Sequence, residues 1–153
     1  MAGVLKISEA ASMGLHAGLY LAEHRGRAVT TREMAETLKV SEHHLAKVMG
    51  RLAKQGLVRS ERGPSGGFKL NRDADEITLL EFYEAIDGSI SARGCLFNQA
   101  VCESEHCLLG DLISHLNTEV REFLGQAKLS QFGGLFNNGG AQAAECAGLT
   151  PRR

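Results

Sequence analysis

The closeness of two helix starts, at Thr30 and Ser41, constrains the fold of this chain more than any other feature. Thr30-Thr31-Arg32-Glu33 has the form of a capping box, in which the threonine hydroxyl and the glutamate carboxylate each satisfy a free backbone N–H. Val29 and Met34 stand at the two positions of a hydrophobic staple. This helix is expected to end near Lys39. Ser41 then caps the next one, with Val40 and Leu45 as its staple and Leu45, Val48, Met49 and Leu52 as its apolar stripe. Gly56 ends it. A turn of a couple of residues therefore joins two short helices. Ahead of them, Ile7, Ala10, Ala11, Gly14, Leu15, Gly18, Leu19 and Ala22 keep a helical period, so a first helix is expected over 6–24. The arrangement is that of a helix-turn-helix, whose second helix enters the major groove.

A hairpin comes next in the chain. Leu57–Ser60 and Phe68–Leu70 read as strands around the glycine- and proline-rich stretch 61–67. A hairpin directly after a recognition helix is a wing. A second capping box, Thr78 to Glu81 with Ile77 and Phe82 as staple, opens a fourth helix that stops at Gly88. Residues 89–103 lack periodicity. A long helix, with Ser104 as its expected cap, carries Leu109, Ile113, Leu116, Val120, Phe123 and Ala127 in alternating steps of four and three. That seam suits a partner helix, because the domain before it reads as already closed. The expected fold is mainly α with a small β-hairpin wing. It divides into a winged helix-turn-helix domain (1–88), a cysteine-bearing loop (89–103), a C-terminal dimerisation helix (104–132) and a disordered tail of Gly, Ala, Asn and Gln (133–153).

Charge follows the same division. Residues 1–70 hold 11 Lys/Arg against 6 Asp/Glu, and residues 71–153 hold 6 against 12. A basic front half suits a polyanion, since cations that neutralise phosphates release condensed counterions. The recognition helix offers Ser41, His43, His44, Lys47 and Arg51 off its apolar stripe, with Glu42 and Lys54 beside them. The wing offers Arg59, Arg62, Ser65 and Gly66, and its glycines allow close backbone approach. Arg32, on the preceding helix, is placed to reach a phosphate. Duplex DNA is the expected partner.

No apolar run reaches the roughly eighteen residues a membrane span needs, and the start lacks the apolar stretch of a signal peptide, so a cytoplasmic location is expected. The sequence holds no nucleotide-binding glycine loop, no H-E-x-x-H and no nucleophile elbow, and reads as a binding protein rather than an enzyme.

Three of the four cysteines, Cys95, Cys102 and Cys107, cluster with spacings of six and four intervening residues; Cys146 lies in the tail. Three thiolates on a short loop can hold corners of an iron–sulfur cluster, which needs soft ligands. Zinc, a metal-free thiol switch and plain buried cysteines are the other readings. Zinc sites commonly use closer pairs than any found here.

Residues 41–70, SEHHLAKVMGRLAKQGLVRSERGPSGGFKL, resemble the Rrf2 family of bacterial winged-helix regulators. The likeness extends from about Ile7 to Phe132. It rests most on the RGPSGGF wing, the Glu76-Ile77-Thr78 segment after it and the three cysteines ahead of a long helix. The resemblance implies a homodimer on a palindromic operator, with recognition helix and wing touching DNA. It also implies an iron–sulfur cluster on Cys95, Cys102 and Cys107, 4Fe–4S favoured over 2Fe–2S, through which the regulator senses nitric oxide, redox state or iron supply. The middle cysteine is displaced by one from the family's usual spacing. Where some relatives have a ligating histidine this chain has Gly110, and where others have an acidic residue on the first helix it has Ser12, with Glu9 and His16 a turn away; His106, Cys146, water, a small thiol or a three-iron cluster are the other open readings of the fourth position. Cluster-free members imply the alternative of a thiol-sensing or partner-controlled regulator on the same scaffold.

Overall fold

A computed structural model describes residues 7–90 and 109–136. The element order is α1 (Glu9–Glu23), α2 (Thr31–Leu38), α3 (Glu42–Lys54), β1 (Val58–Glu61), β2 (Gly67–Leu70), α4 (Leu79–Asp87) and α5 (Gly110–Gln126), followed by a 3-10 turn, Leu129–Phe132. The expected class, mainly helical with one antiparallel hairpin, is what the chain adopts.

The expected caps at Thr30, Ser41 and Thr78 start their helices, and Ser8, not among the expected caps, caps α1. Ser8, Thr30, Ser41 and Thr78 each accept a hydrogen bond from a backbone N–H three residues on. At Thr78 the box is complete, because the Glu81 carboxylate accepts from the Thr78 N–H at 2.8 Å. At Thr30 only half of it forms. The Glu33 carboxylate turns away to accept from the guanidinium of Arg27 and from the Tyr20 hydroxyl. A charged, two-donor partner outcompetes a single amide for one carboxylate. The bond from Arg27 holds Glu33 below the usual carboxylate range, against the opposing effect of burial. That carboxylate thus ties the end of α1 and the loop after it to α2.

The core gathers around α1. Met34, Leu45, Met49, Leu52, Ile77 and Phe82 are fully buried in it. Gly14 and Gly18, one turn apart, form the contact face towards α4. A β-carbon at Gly18 would lie 2.6 Å from the Phe82 ring, and one at Gly14 would lie 3.3 Å from Ile86 and 3.5 Å from Val48. Glycine therefore sets how closely α1 can cross α4 while still touching α3.

The C-terminal segment closes this core instead of leaving it, and three expectations are corrected. Leu124, Ala127 and Leu129 are buried with the helices above, so the domain is not complete at residue 88. Ala127, read as the end of the partner seam, packs internally because its carbonyl accepts from the Leu79 N–H at 2.9 Å while the Leu129 N–H donates to Ile77. Thr78 and Lys128 form an antiparallel bridge between those bonds. The helix expected over 104–132 is shorter. Among the described residues it begins at Gly110, with Leu109 as N-cap and no side-chain cap bond; Ser104, the expected cap, lies outside the described residues. Of the tail, residues 133–136 return to α1: the N–H of Leu135 donates to Glu23 at 2.7 Å, and the Phe136 ring meets Tyr20 edge-on.

The α1–α4 crossing gives a direct test. Gly18→Ala gains helix propensity of up to about 1 kcal/mol but forces a β-carbon into a fully buried ring, an overpacking cost of about 1–3 kcal/mol. The expected outcome is a net loss of stability, read as a lower urea midpoint at unchanged slope. Gly50→Ala on α3, where a β-carbon meets nothing within 4 Å, is the control and should not destabilise.

Candidate nucleic-acid interface

The apolar stripe of α3, Leu45, Val48, Met49 and Leu52, faces inward, which fixes the opposite face outward. By the helical period, His43, Lys47, Gly50 and Lys54 share the centre of that outward face. All four are exposed, as are Ser41 and Glu42 at the start of the helix. Lys47 and Lys54 have no ion-pair partner among the described residues.

The other two side chains expected from sequence lie on one flank. His44 and Arg51, with Lys47 and Val48, border a groove of about 570 Å³ whose far wall is Glu9, Ala10 and Met13 of α1. Arg51 points one N–H at the Ile86 carbonyl, 3.4 Å away at the end of α4. It is thus partly committed within the fold, which its sequence position gave no sign of. The His43 and His44 rings are 6.2 Å apart and both residues are exposed. Arg32 is exposed on α2 and pairs with Glu36 at 2.9 Å.

The wing pairs Val58 with Leu70, Arg59 with Lys69, Ser60 with Phe68 and Glu61 with Gly67. Alternation puts Arg59 and Lys69 on one face and Ser60 and Phe68 on the other. Glu61 accepts from Lys69 at 3.0 Å and lies 3.7 Å from Arg59. Arg62, Gly63, Pro64 and Ser65 form an exposed tip.

Two wing glycines are required by the fold itself, whatever approaches the wing. The Val29 and Phe68 amides and carbonyls bond to each other at 3.0 and 2.8 Å, an isolated antiparallel bridge on the edge of the two-stranded hairpin. Gly67, at φ +153°, sits under that bridge, and a β-carbon there would lie 2.4 Å from the Val29 carbonyl oxygen. A β-carbon at Gly66 would lie 2.7 Å from the Glu61 carbonyl oxygen. Close backbone approach was expected at the wing, but the partner at these two positions is the chain itself.

The expected seam on α5 is mostly outward. Leu109, Leu116 and Phe123 are exposed, and Ile113 and Val120 are half-buried. The structure adds Leu112, 53% exposed, which the four-and-three spacing passed over. Within the helix Leu124 is buried, and Val120 packs half-buried against the same core. Cys95, Cys102 and Cys107 lie outside the described residues, as do His106 and Cys146. Their segment is bounded on one side by the end of α4. There the Asp87 carboxylate accepts from the Ser8 hydroxyl at 2.5 Å and from its N–H at 3.3 Å. No described helix is long and apolar enough to cross a membrane.

Comparison with known proteins agrees with this geometry. Residues 7–133 match the family model Rrf2, described as an iron-dependent transcriptional regulator. The chain is 34% identical over 103 residues to the HTH-type transcriptional regulator IscR of Xenorhabdus nematophila, a match covering 67% of this chain and 63% of that protein. It is 30% identical over 128 residues to the IscR of Sodalis glossinidius, covering 83% and 78%. Among solved structures it resembles CymR, the global cysteine regulator of B. subtilis, with a TM-score of 0.71 and 31% identity over 82% of this chain and 94% of that one.

Proposed function

The chain belongs to the Rrf2 family of transcriptional regulators, and on that premise we propose that it acts in the cytoplasm as a homodimer on a palindromic duplex operator, controlled through Cys95, Cys102 and Cys107. The observation that carries the DNA reading is the outward face of α3. A capped helix held by four buried side chains presents His43, Lys47 and Lys54 with no carboxylate paired to them among the described residues, beside a hairpin bearing Arg59 and Arg62. In this reading α3 lies in the major groove, with Ser41, His43 and Lys47 towards base edges and phosphates. The wing tip, through Arg62, Ser65 and Gly66, tracks the adjacent backbone or minor groove. Arg32 and Arg59 supply further phosphate contacts.

The dimer reading rests on α5. Leu109, Leu112, Leu116 and Phe123 are exposed on a helix that buries only Leu124 in its own domain. A matching helix from a second copy removes that surface from water. Two α3 helices then stand at a fixed separation, as half-sites about 34 Å apart require.

Cys95, Cys102 and Cys107 would hold an iron–sulfur cluster, whose iron takes thiolate ligands in preference to harder donors. When bound, the cluster supplies redox and nitric-oxide reactivity. The chain's own residues carry the consequence to DNA. The cysteine segment comes after α4, whose final turn is bonded to α1 through Ser8 and Asp87 and to α3 through Arg51. A change in that turn therefore reaches the recognition helix and the start of α1 together. A second reading, a cluster-free thiol-controlled regulator, is supported by the likeness to a cysteine regulator of B. subtilis.

Three measurements test these readings. Lys47→Ala should weaken duplex binding and reduce the slope of log affinity against log salt by about 1; an unchanged slope removes Lys47 from the interface. Leu116→Asp should sediment as a monomer and lose operator binding; a variant that remains dimeric moves the interface elsewhere. Anaerobically purified protein should absorb in the visible with iron and sulfide in comparable amounts, and Cys102→Ala should bleach it. A colourless wild-type preparation free of iron would leave the thiol reading standing.

A further inference from the structure

Five cations from three parts of the chain meet at a recess on the wing side of the molecule, away from the α3 groove. Arg25 and Arg27 come from the end of α1 and the loop after it, Arg59 and Lys69 from the paired strands, and Arg72 from the segment after β2. The recess holds about 200 Å³, and His24, Leu21 and Leu70 complete much of its wall. One carboxylate, Asp73, lines it. Like charges collected around a small concavity repel each other, and the apolar core has no use for them.

Three other carboxylates do pair with these cations, but none of them lines the recess. Glu33 takes Arg27, Glu61 takes Lys69 with Arg59 nearby, and Glu81 takes Arg72. Each pairing leaves donors over. A guanidinium carries five N–H groups and an ammonium three. Arg72 commits one terminal nitrogen, and Lys69 has one carboxylate partner. Arg59 only approaches Glu61 through Nε. Arg25 gives its Nε–H to the Ala22 carbonyl at 3.2 Å, has no ion pair among the described residues and keeps both terminal nitrogens. The outer carboxylates thus hold the side chains in place, while the inner wall remains rich in donors and poor in acceptors.

We propose that this recess is an anion site that takes a phosphate or diphosphate group, held chiefly by Arg25 and Arg59 with Arg27, Lys69 and Arg72 around it. A planar guanidinium presents paired donors that match phosphate oxygens, which favours phosphate over halide. The volume suits one such group and not a protein segment. Two sources carry that chemistry: a small phosphorylated solute, and the backbone of DNA running past the wing. The site does not depend on α3 reading DNA, so it is tested first without DNA.

The full chain is titrated with pyrophosphate in chloride buffer at constant ionic strength, followed by calorimetry and by the phosphorus resonance of the probe. Wild type should bind saturably, one per chain. Arg25→Gln/Arg59→Gln should bind at least tenfold more weakly, while Lys39→Gln/Arg121→Gln, which removes the same charge elsewhere, should bind as wild type. No saturable binding by wild type overturns the proposal, and so does equal weakening in both double variants. A circular dichroism spectrum matching wild type keeps misfolding from imitating the expected result. Saturating pyrophosphate is then added to a duplex-binding assay against an ionic-strength control. Competition identifies the DNA backbone as the source, and unimpaired DNA binding identifies a free solute. Failure of the protein to bind any duplex would overturn the operator reading and leave the pyrophosphate result intact.

Discussion

The close crossing of α1 over α4 is the contact on which the rest of the structure depends. Without β-carbons at Gly14 and Gly18, α1 lies directly against Phe82 and Ile86, and Val48 of α3 fits into the same place. Three helices therefore share one junction. The recognition helix is positioned from behind by α1, and α4 is fixed along its length. The bonds from Ser8 to Asp87 and from Arg51 to Ile86 add polar ties at the same end. The described segment ends two residues after Gly88, at that same end of α4.

The charge layout has a matching logic. The outward face of α3 is left free of carboxylate partners beyond Glu42 at its start, and its cations stand unpaired among the described residues. On the wing side Arg27, Lys69 and Arg72 are paired from outside, while Arg25 is tied to a backbone carbonyl. The first arrangement leaves mobile side chains that can adapt to a varied surface. The second holds side chains rigidly around a hollow. Surface pairs of this kind contribute little to stability, about 0–1 kcal/mol each, so their effect here is one of position.

Much of this was legible in sequence, because the signals were local. A threonine or serine cap is satisfied within three residues, and the staples Val29–Met34 and Ile77–Phe82 span one turn, so helix starts and the hairpin could be read from spacing alone. Four things were not legible, and each depends on a distant partner. Glu33 abandoned its box for Arg27 and Tyr20. Ala127 turned inward because the Leu79 amide needed its carbonyl. Gly67 was required by Val29, through a bridge too short to leave a pattern. Arg51 was drawn to a carbonyl thirty-five residues away. The gathering of Arg25 and Arg27 with Arg59, Lys69 and Arg72 was invisible for the same reason, since α2 and α3 separate the loop after α1 from the hairpin and the segment that follows it.

The anchorage of α5 has one more consequence. Within this helix only Leu124, near its C-terminal end, is buried, and the chain beyond it is fastened through Ala127, Leu129 and the return to Glu23. The other end, at Gly110, adjoins the cysteine segment. At about 1.5 Å per residue the span between them is roughly 21 Å, so a tilt of about 10° at the anchor displaces the tip by about 4 Å. A tilt about that anchorage therefore carries the surface at Leu109, Leu112 and Leu116 furthest and that at Phe123 least.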